Sequence, residues 1–298
     1  MKVLISGASG LIGRALRRVL TERGDETAAL IRHSPRTAGV QWTPSKSLDP
    51  AQLAGFDAVV HLAGKNIAGR WTEKFKQEVR DSRVQGTRTL ALAAAESFRR
   101  AGNPKAFIAA SAIGYYGNRG DEVLTEASAP GRGFLPEVCV EWEAAADPAR
   151  DAGLRVAHMR TGVVLAKDGG ALPPLLLPFR LGLGGRIGDG RQYWSWVALE
   201  DVAGAYAFAL YDENLSGPVN LVAPQPARVS DFVRVLGDVL HRPAMVPIPA
   251  FAVRTLLGEM GQTLLLNSAR VIPERLKGSG YRFAFPELRG ALEGALRG

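Results

Sequence analysis

KVLISGASGLIGRALRRVLTERG, residues 2–24, reads as a strand, a glycine turn and a helix in succession. Lys2–Ser6 is a short apolar run that stops at glycine, the pattern of a buried strand. From Gly10 to Arg23, Leu11, Ile12, Ala15, Leu16, Val19 and Leu20 recur at helical spacing, and Gly24 marks the stop. Between the two stand Gly7, Gly10 and Gly13, spaced GxxGxxG. Gly7 permits the sharp turn, Gly10 lets backbone approach a pyrophosphate, and Gly13 lets the helix pack closely on the strand. The free N–H groups and positive dipole end of the helix face that anion. The triplet lies between a strand and a helix, so a dinucleotide loop is predicted, with Gly7, Ser9, Gly10, Leu11 and Ile12 as contacts.

Further strands are predicted at 27–31, 57–62, 106–111 and 155–160. Helices fill the intervals at about 72–100, with Gly86 a weak point, and at 135–152. Strands alternating with helices imply parallel βαβ units, an α/β fold with a Rossmann-type doubly wound parallel sheet. Residues 167–193 are rich in Gly and Pro and read as a long irregular stretch, more often functional than decorative. Glu200 or Asp201 is expected to cap a helix through about Leu210, and Gly217–Val222 to return as a strand. Helical segments follow at 230–240, 250–258 and 285–296. The expected organisation is a dinucleotide-binding domain over 1–165, completed by about 195–225. Residues 166–194 and 226–298 form a smaller C-terminal lobe on the substrate side.

Composition narrows the function. A single cysteine, Cys139, excludes an internal disulfide and a Cys-rich metal site, and four histidines lack ligand spacing, so no metal is expected. The net charge is +8, but the arginines are scattered and no aromatic residues interleave with them, so no nucleic-acid partner is expected. Met1 leads straight into the first strand, leaving no room for a signal peptide. The run ALPPLLLPF is interrupted by Pro173, Pro174 and Pro178, so no membrane partner and a cytoplasmic location are expected.

The end of the second strand selects the cofactor. An acidic residue there holds a ribose 2′-hydroxyl; this chain has Ile31-Arg32-His33-Ser34 instead. Arg32 can pair with a 2′-phosphate through its fork of donors, and Arg36 lies close behind. NADP(H) is therefore the expected cofactor, with Arg32 and His33 at its phosphate. DAVVHLAG, residues 57–64, brings Leu62, Ala63 and Gly64 to the same sheet edge, where small residues let backbone pass near the ribose and adenine. His61 reads as a half-buried strand residue and not a catalyst.

These residues together resemble the extended short-chain dehydrogenase/reductase superfamily over the whole chain: GASGLIG, DAVVHLAG, SRVQGT (82–87), SAIGYYG (111–117) and Leu199-Glu200-Asp201-Val202 fall in order. More particularly, the chain resembles an atypical epimerase-like subgroup related to human short-chain dehydrogenase family 39U member 1, some of whose members carry the label of cell-division inhibitors. Its marks here are AGKNIAGRW (63–71), SRVQGT, YYG, Val138-Cys139 with Trp142-Glu143, WSW (194–196), and a tail with Pro273-Glu274-Arg275-Leu276 and Gly280-Tyr281-Arg282-Phe283. The resemblance implies cofactor contacts at Glu78, Arg83 and Val163.

The departure lies in the acid/base set. Extended members carry YxxxK, whose lysine lowers the pKa of the proton-donating tyrosine. Aligned on Glu143, the tyrosine position holds Leu135 and the lysine position Cys139; Arg83 replaces the relay asparagine. Ser111, Tyr115 and Cys139 remain as catalytic candidates. Ser111 offers a hydrogen bond to a substrate carbonyl, although counting back from Gly117 puts Ala112 in the serine position. Tyr115 offers a proton from another direction, or it and Tyr116 line the core and the cofactor pocket. Cys139 beside Arg83 is either a thiol of lowered pKa or a small buried residue. Arg180, Arg186 and Arg191, around LGLGGRIGDGRQYWSW (181–196), suggest an anionic or sugar-like small-molecule substrate. A homodimer is compatible with this reading. Two functions stay open: an NADP-dependent oxidoreductase or epimerase with a non-standard acid/base set, and a non-catalytic NADP(H)-binding regulatory or sensor protein.

Overall fold

The computed structural model describes residues 1–31 and 39–297. It opens with β1 (Lys2–Ser6), α1 (Leu11–Glu22), β2 (Glu26–Ile31), β3 (Val40–Gln41), β4 (Ala58–His61), α2 (Glu73–Ala101) and β5 (Ala106–Ala112). There follow β6 (Val123–Leu124), α3 (Phe134–Ala144), α4 (Asp147–Asp151), β7 (Arg155–Thr161), β8 (Val163–Ala166), β9 (Gly169–Gly170) and α5 (Leu172–Arg180). The remainder is β10 (Tyr193–Trp194), β11 (Trp196–Ala198), α6 (Leu199–Tyr211), β12 (Gly217–Leu221), β13 (Ala227–Arg228), α7 (Val229–Leu240), α8 (Ala250–Gly261), β14 (Arg270–Val271), α9 (Glu274–Gly278) and α10 (Leu288–Arg297).

Seven strands form one sheet in the order β12-β7-β5-β4-β1-β2-β3, every neighbour parallel. The order reverses beside β1, so β1 and β4 diverge into helices on opposite faces and leave a crevice at their carboxyl ends. Strand alternation builds two cores. Val3 and Ile5 of β1 enter the core under α1 and α6, while Leu4 enters the one under α2 and α4. A third core joins Leu172, Leu176 and Phe179 of α5 to Phe232 and Leu236 of α7 and Leu292 of α10.

Tertiary contacts alter several local expectations. α2 runs unbroken through Gly86, which is buried where an added Cβ would meet Trp42 and His61 at 3.6 and 3.7 Å. The helix expected at 135–152 is two, α3 and α4. The stretch 167–193 contains α5: Pro173 and Pro174 occupy its first turn, where N–H groups have no intrahelical acceptor. Asp201 does not cap α6, whose N-cap is Ala198. Its buried carboxylate instead accepts the N–H groups of Ala284 (2.7 Å) and Phe285 (2.9 Å) and ties down the C-terminal segment. Leu276, Tyr281 and Phe283 pack on the α1–α6 side of the sheet, so the chain returns to the first core before α10 joins the third.

Candidate functional site

The crevice at the carboxyl ends of β1 and β4 is built by close backbone approach. Gly7 has φ +69°, and a Cβ there would lie 2.9 Å from the Ala63 nitrogen. The turn after β1 therefore touches the exit of β4. Ser6 Oγ accepts the N–H groups of Leu62 (3.1 Å) and Ala63 (3.2 Å). Its proton is left to donate to His61 Nδ1, 2.6 Å away. His61 is fully buried rather than half-buried, because Trp42 and Phe107 enclose its ring. Burial pushes its pKa down to about 4.

That depression sets a pH dependence. Unfolding frees His61 to take a proton near its ordinary pKa of about 6.5, which the folded protein refuses until about pH 4. Its contribution is fully present above about pH 6.5 and declines as pH falls toward 4, by about 1.4 kcal/mol per unit and about 3 kcal/mol in all. Urea denaturation of wild type and His61→Gln across that window measures it: the variant should lose the His61 share of the slope and keep that of His158, whose pKa burial also lowers. Parallel slopes would remove His61 as its source.

Gly10 is the N-cap of α1 and provides no side-chain capping bond, nor is there an acid in the first turn. Ser9 and Gly10 are exposed. The N–H groups of Leu11 and Ile12 lie in the first turn, where no intrahelical acceptor is within reach. An uncapped, exposed, glycine-lined helix start suits a pyrophosphate. Across the crevice, Arg83 donates to the carbonyls of Lys65 (3.0 Å) and Val79 (3.2 Å), and its guanidinium lies 5.0 Å over the Trp142 ring. A Cβ on Gly64 would meet that guanidinium at 3.6 Å. Glu78 pairs with Lys65, whose ammonium holds the carboxyl below its ordinary pKa. Gly64, Glu78 and Arg83 are thus brought together. Val163 is not offered as a free amide donor, since its N–H already donates to the Ser195 carbonyl at 2.9 Å. Arg32 and His33 lie outside the described residues.

The catalytic candidates change character. Ser111 is buried and donates to Glu143 at 2.6 Å. Glu143 receives both Nε and Nη2 of Arg160 at 2.8 Å. Arg160 Nη1 donates to the Tyr116 hydroxyl at 3.0 Å, and that hydroxyl is 2.6 Å from Asn220 Oδ1. Ser111 is therefore a member of a buried polar chain joining β5, α3, β7 and β12, a correction to its reading as a group presented to substrate. Glu143, Arg160, Tyr116 and Asn220 were not picked out as a unit. The signal for two of them, Arg160 and Asn220, was a polar residue within the apolar strands RVAHMR (155–160) and GPVNLV (217–222). Tyr115 is half-buried, with the Arg160 guanidinium 3.4 Å from its ring centroid.

Of the two readings of Cys139, the structure removes the activated thiol and keeps the small buried residue. Cys139 is 3% exposed, and its thiol is 3.8 Å from the Ala112 carbonyl. Burial pushes its pKa up to about 12; Glu143 adds to the rise, and Arg83 pulls too weakly against it. A Cβ on Gly114 would touch Leu135 at 3.4 Å and Cys139 Sγ at 3.8 Å. The tyrosine and lysine positions of YxxxK are thus filled by a small, largely apolar contact. Iodoacetamide should label Cys139 slowly in the folded protein, with or without NADPH, and rapidly in urea. Fast labelling of the native protein would contradict this burial.

Arg180, Arg186 and Arg191 do not form one cluster. Arg180 ends α5, and Arg186 lines a groove with Arg234 and Arg242. Arg191 is held by its backbone, through Asp189 and Arg228. Among the described residues no group of three His, Cys, Asp or Glu could hold a metal ion, and no helix is long and apolar enough to cross a membrane.

A model of the NAD dependent epimerase/dehydratase family matches residues 3–221, and one described as a domain of unknown function, DUF1731, matches 248–295. Epimerase family protein Mb2239 of Mycobacterium bovis is 43% identical over 284 residues, spanning 94% of this chain and 93% of that protein. Epimerase family protein SDR39U1 of Homo sapiens is 38% identical over 297 residues, spanning 98% and 99%. The crystal structure of human SDR39U1 (isoform 2) with NADPH superposes with a TM-score of 0.90 at 35% identity, covering 100% of this chain and 99% of that one.

Proposed function

The chain belongs to the NAD dependent epimerase/dehydratase family, and from that premise we propose that it binds NADP(H) between β1 and β4 and uses occupancy by the dinucleotide, not YxxxK chemistry, as its function. The uncapped, exposed start of α1 against the close-packed Gly7 turn carries the binding half of this reading. Gly7, Ser9, Gly10, Leu11 and Ile12 would hold the pyrophosphate. Leu62, Ala63 and Gly64 would flank the ribose, with Arg83 and Glu78 behind them. NADPH in the human SDR39U1 structure supports the same cofactor here. When bound, the dinucleotide supplies a transferable hydride at its nicotinamide ring. Ala112, Leu135 and Cys139, at the serine, tyrosine and lysine positions, offer no proton to accompany it, and Ser111 is committed to Glu143. A cytoplasmic protein that senses the NADP(H) pool fits these features.

One observation favours a second reading. Tyr115 is half-buried beneath the Arg160 cation, so its phenol is the group best placed to donate a proton if a carbonyl substrate is reduced. The experiment is to load the protein with NADPH and offer a panel of small carbonyl compounds, sugars and anionic ones included. Persistent nicotinamide absorbance is expected. Its decay, abolished in Tyr115→Phe, would replace the binding reading with the catalytic one.

Arg32 gives a cofactor prediction. NADPH should bind at least about tenfold tighter than NADH, about 1.4 kcal/mol, and Arg32→Ala should erase the difference by weakening NADPH alone. Equal affinities in the wild type would remove the 2′-phosphate argument. Parallel loss of both cofactors in the variant would assign Arg32 a structural role.

A further inference from the structure

Two segments, 172–188 and 240–258, hold eight of the thirteen large apolar side chains exposed among the described residues. Met245 and Leu256 are 80% and 81% exposed; Leu181, Leu183, Val246 and Phe251 accompany them. The segments lie side by side, because Val246 N–H donates to the Gly184 carbonyl at 3.1 Å and Ile248 N–H to that of Arg186 at 2.7 Å. α8 hardly joins the core: of its residues only Val253 and Gly261 are buried. Scattered exposed apolar residues need no explanation, but a contiguous group does.

The charge of the same segments is one-sided. They contain Arg180, Arg186, Arg242 and Arg254 and no aspartate or glutamate. The nearest acids each have a partner already. Asp238 pairs with Arg289 at 3.0 Å, Glu259 with Lys76 at 2.7 Å, and Asp189 accepts the Arg191 N–H at 2.9 Å. A groove of about 520 Å³ between α7 and residues 242–247 is lined by Arg186, Arg234 and Arg242 and by one acid, Asp238, with Met245 beside them; Arg234 pairs with Asp231 at 3.4 Å, which leaves Arg186 and Arg242 as the cations turned to a ligand. Cations able to hold a phosphate thus stand next to a protruding apolar side chain.

We propose that this face adsorbs to an anionic lipid surface, with Met245, Phe251 and Leu256 entering the headgroup region and the arginines meeting lipid phosphates. Protruding apolar tips amid basic residues are what interfacial binding requires, and it requires no membrane-spanning length. The sequence expectation of no membrane partner rested on that length alone. A second copy of the chain fits less well: a two-fold interface sets each patch against itself and would bring the same arginines together. An acidic peptide would answer the arginines but leave Phe251 and Leu256, 69% and 81% exposed, uncovered. The proposal does not depend on NADP(H) binding.

Co-sedimentation tests it, using full-length protein with phosphatidylcholine vesicles and with vesicles that also contain phosphatidylglycerol. Binding is expected to the second kind only and to weaken with added salt. Leu256→Glu with Met245→Glu should reduce it about tenfold or more, and Arg186→Gln with Arg242→Gln should reduce both binding and its salt dependence. These positions are exposed, so thermal melts should match the wild type; the arginine pair provides a second measurement if the acidic pair misfolds. Absence of binding to anionic vesicles overturns the proposal, as does unchanged binding in both double variants. Concentration-dependent dimerisation, measured by sedimentation velocity and abolished by the acidic pair, would assign the face to a second copy instead.

Discussion

Arg160→Met is expected to lower folding stability by about 3–5 kcal/mol, because it leaves the Glu143 carboxylate without its partner inside the protein. The arginine side chain is 3% exposed and fills three positions at once: two bonds to Glu143, one to Tyr116, and the stack on Tyr115. Its charged state is favoured despite burial, since the Glu143 bonds outweigh the desolvation. Methionine matches the stem but none of these contacts. Urea denaturation with an unchanged m-value reads the loss directly. A second change, Glu143→Leu, should restore a large part of it, since removing both charges removes the unpaired one. A loss below about 1 kcal/mol in the single variant would mean that water reaches Glu143 and that the buried chain does not hold β5, α3 and β7 together.

Gly13→Ala is expected to cost at least about 3 kcal/mol and to abolish dinucleotide binding. An added Cβ would sit 2.2 Å from the Gly7 carbonyl oxygen and 2.7 and 2.9 Å from backbone atoms of Ala8, none of which can move without displacing β1 or α1. Gly10→Ala is the contrast. Its Cβ would lie 3.2 Å from the same oxygen, a distance relieved by a shift of a few tenths of an ångström, and φ there is −73°. That variant should fold and lose affinity for NADPH, because the methyl group occupies the anion's approach. Thermal melts and NADPH titrations of the pair separate the roles. Equal stability of the two variants would refute the assignment of Gly13 as the packing glycine. Unchanged affinity in Gly10→Ala would refute the pyrophosphate loop.

The sequence by itself determined the α/β class, the main-sheet strands β1, β2, β4, β5 and β7 with α1 and α2 between them, and the position of the glycine turn; it missed β3 and β6 and read α3 and α4 as one helix. The determined elements follow from hydrophobic periodicity and from residues adjacent in the chain: an apolar run of five, a glycine triplet and a helical stripe are complete within residues 2–24. Motif resemblance also singled out Gly64 and Arg83, which the fold sets against each other.

The tertiary structure decided what the polar side chains do. Ser111 and Glu143 are 32 residues apart, Arg160 and Tyr116 44, and Tyr116 and Asn220 104. Ser6 reaches His61 across 55. No periodicity reports such pairs, because each depends on which strands the crossovers set side by side. Asp201 illustrates it: the residue has the composition of a helix cap, yet its carboxylate binds backbone N–H groups 83 and 84 residues away. Cys139 illustrates it for reactivity. Its neighbour Arg83 was legible in the alignment, but the pKa depends on how completely α3 is covered by the 113–116 turn and by α2. That coverage decides between the two readings the sequence left open: the thiol is buried and its pKa pushed up to about 12, since desolvation of the thiolate outweighs the attraction of a nearby cation.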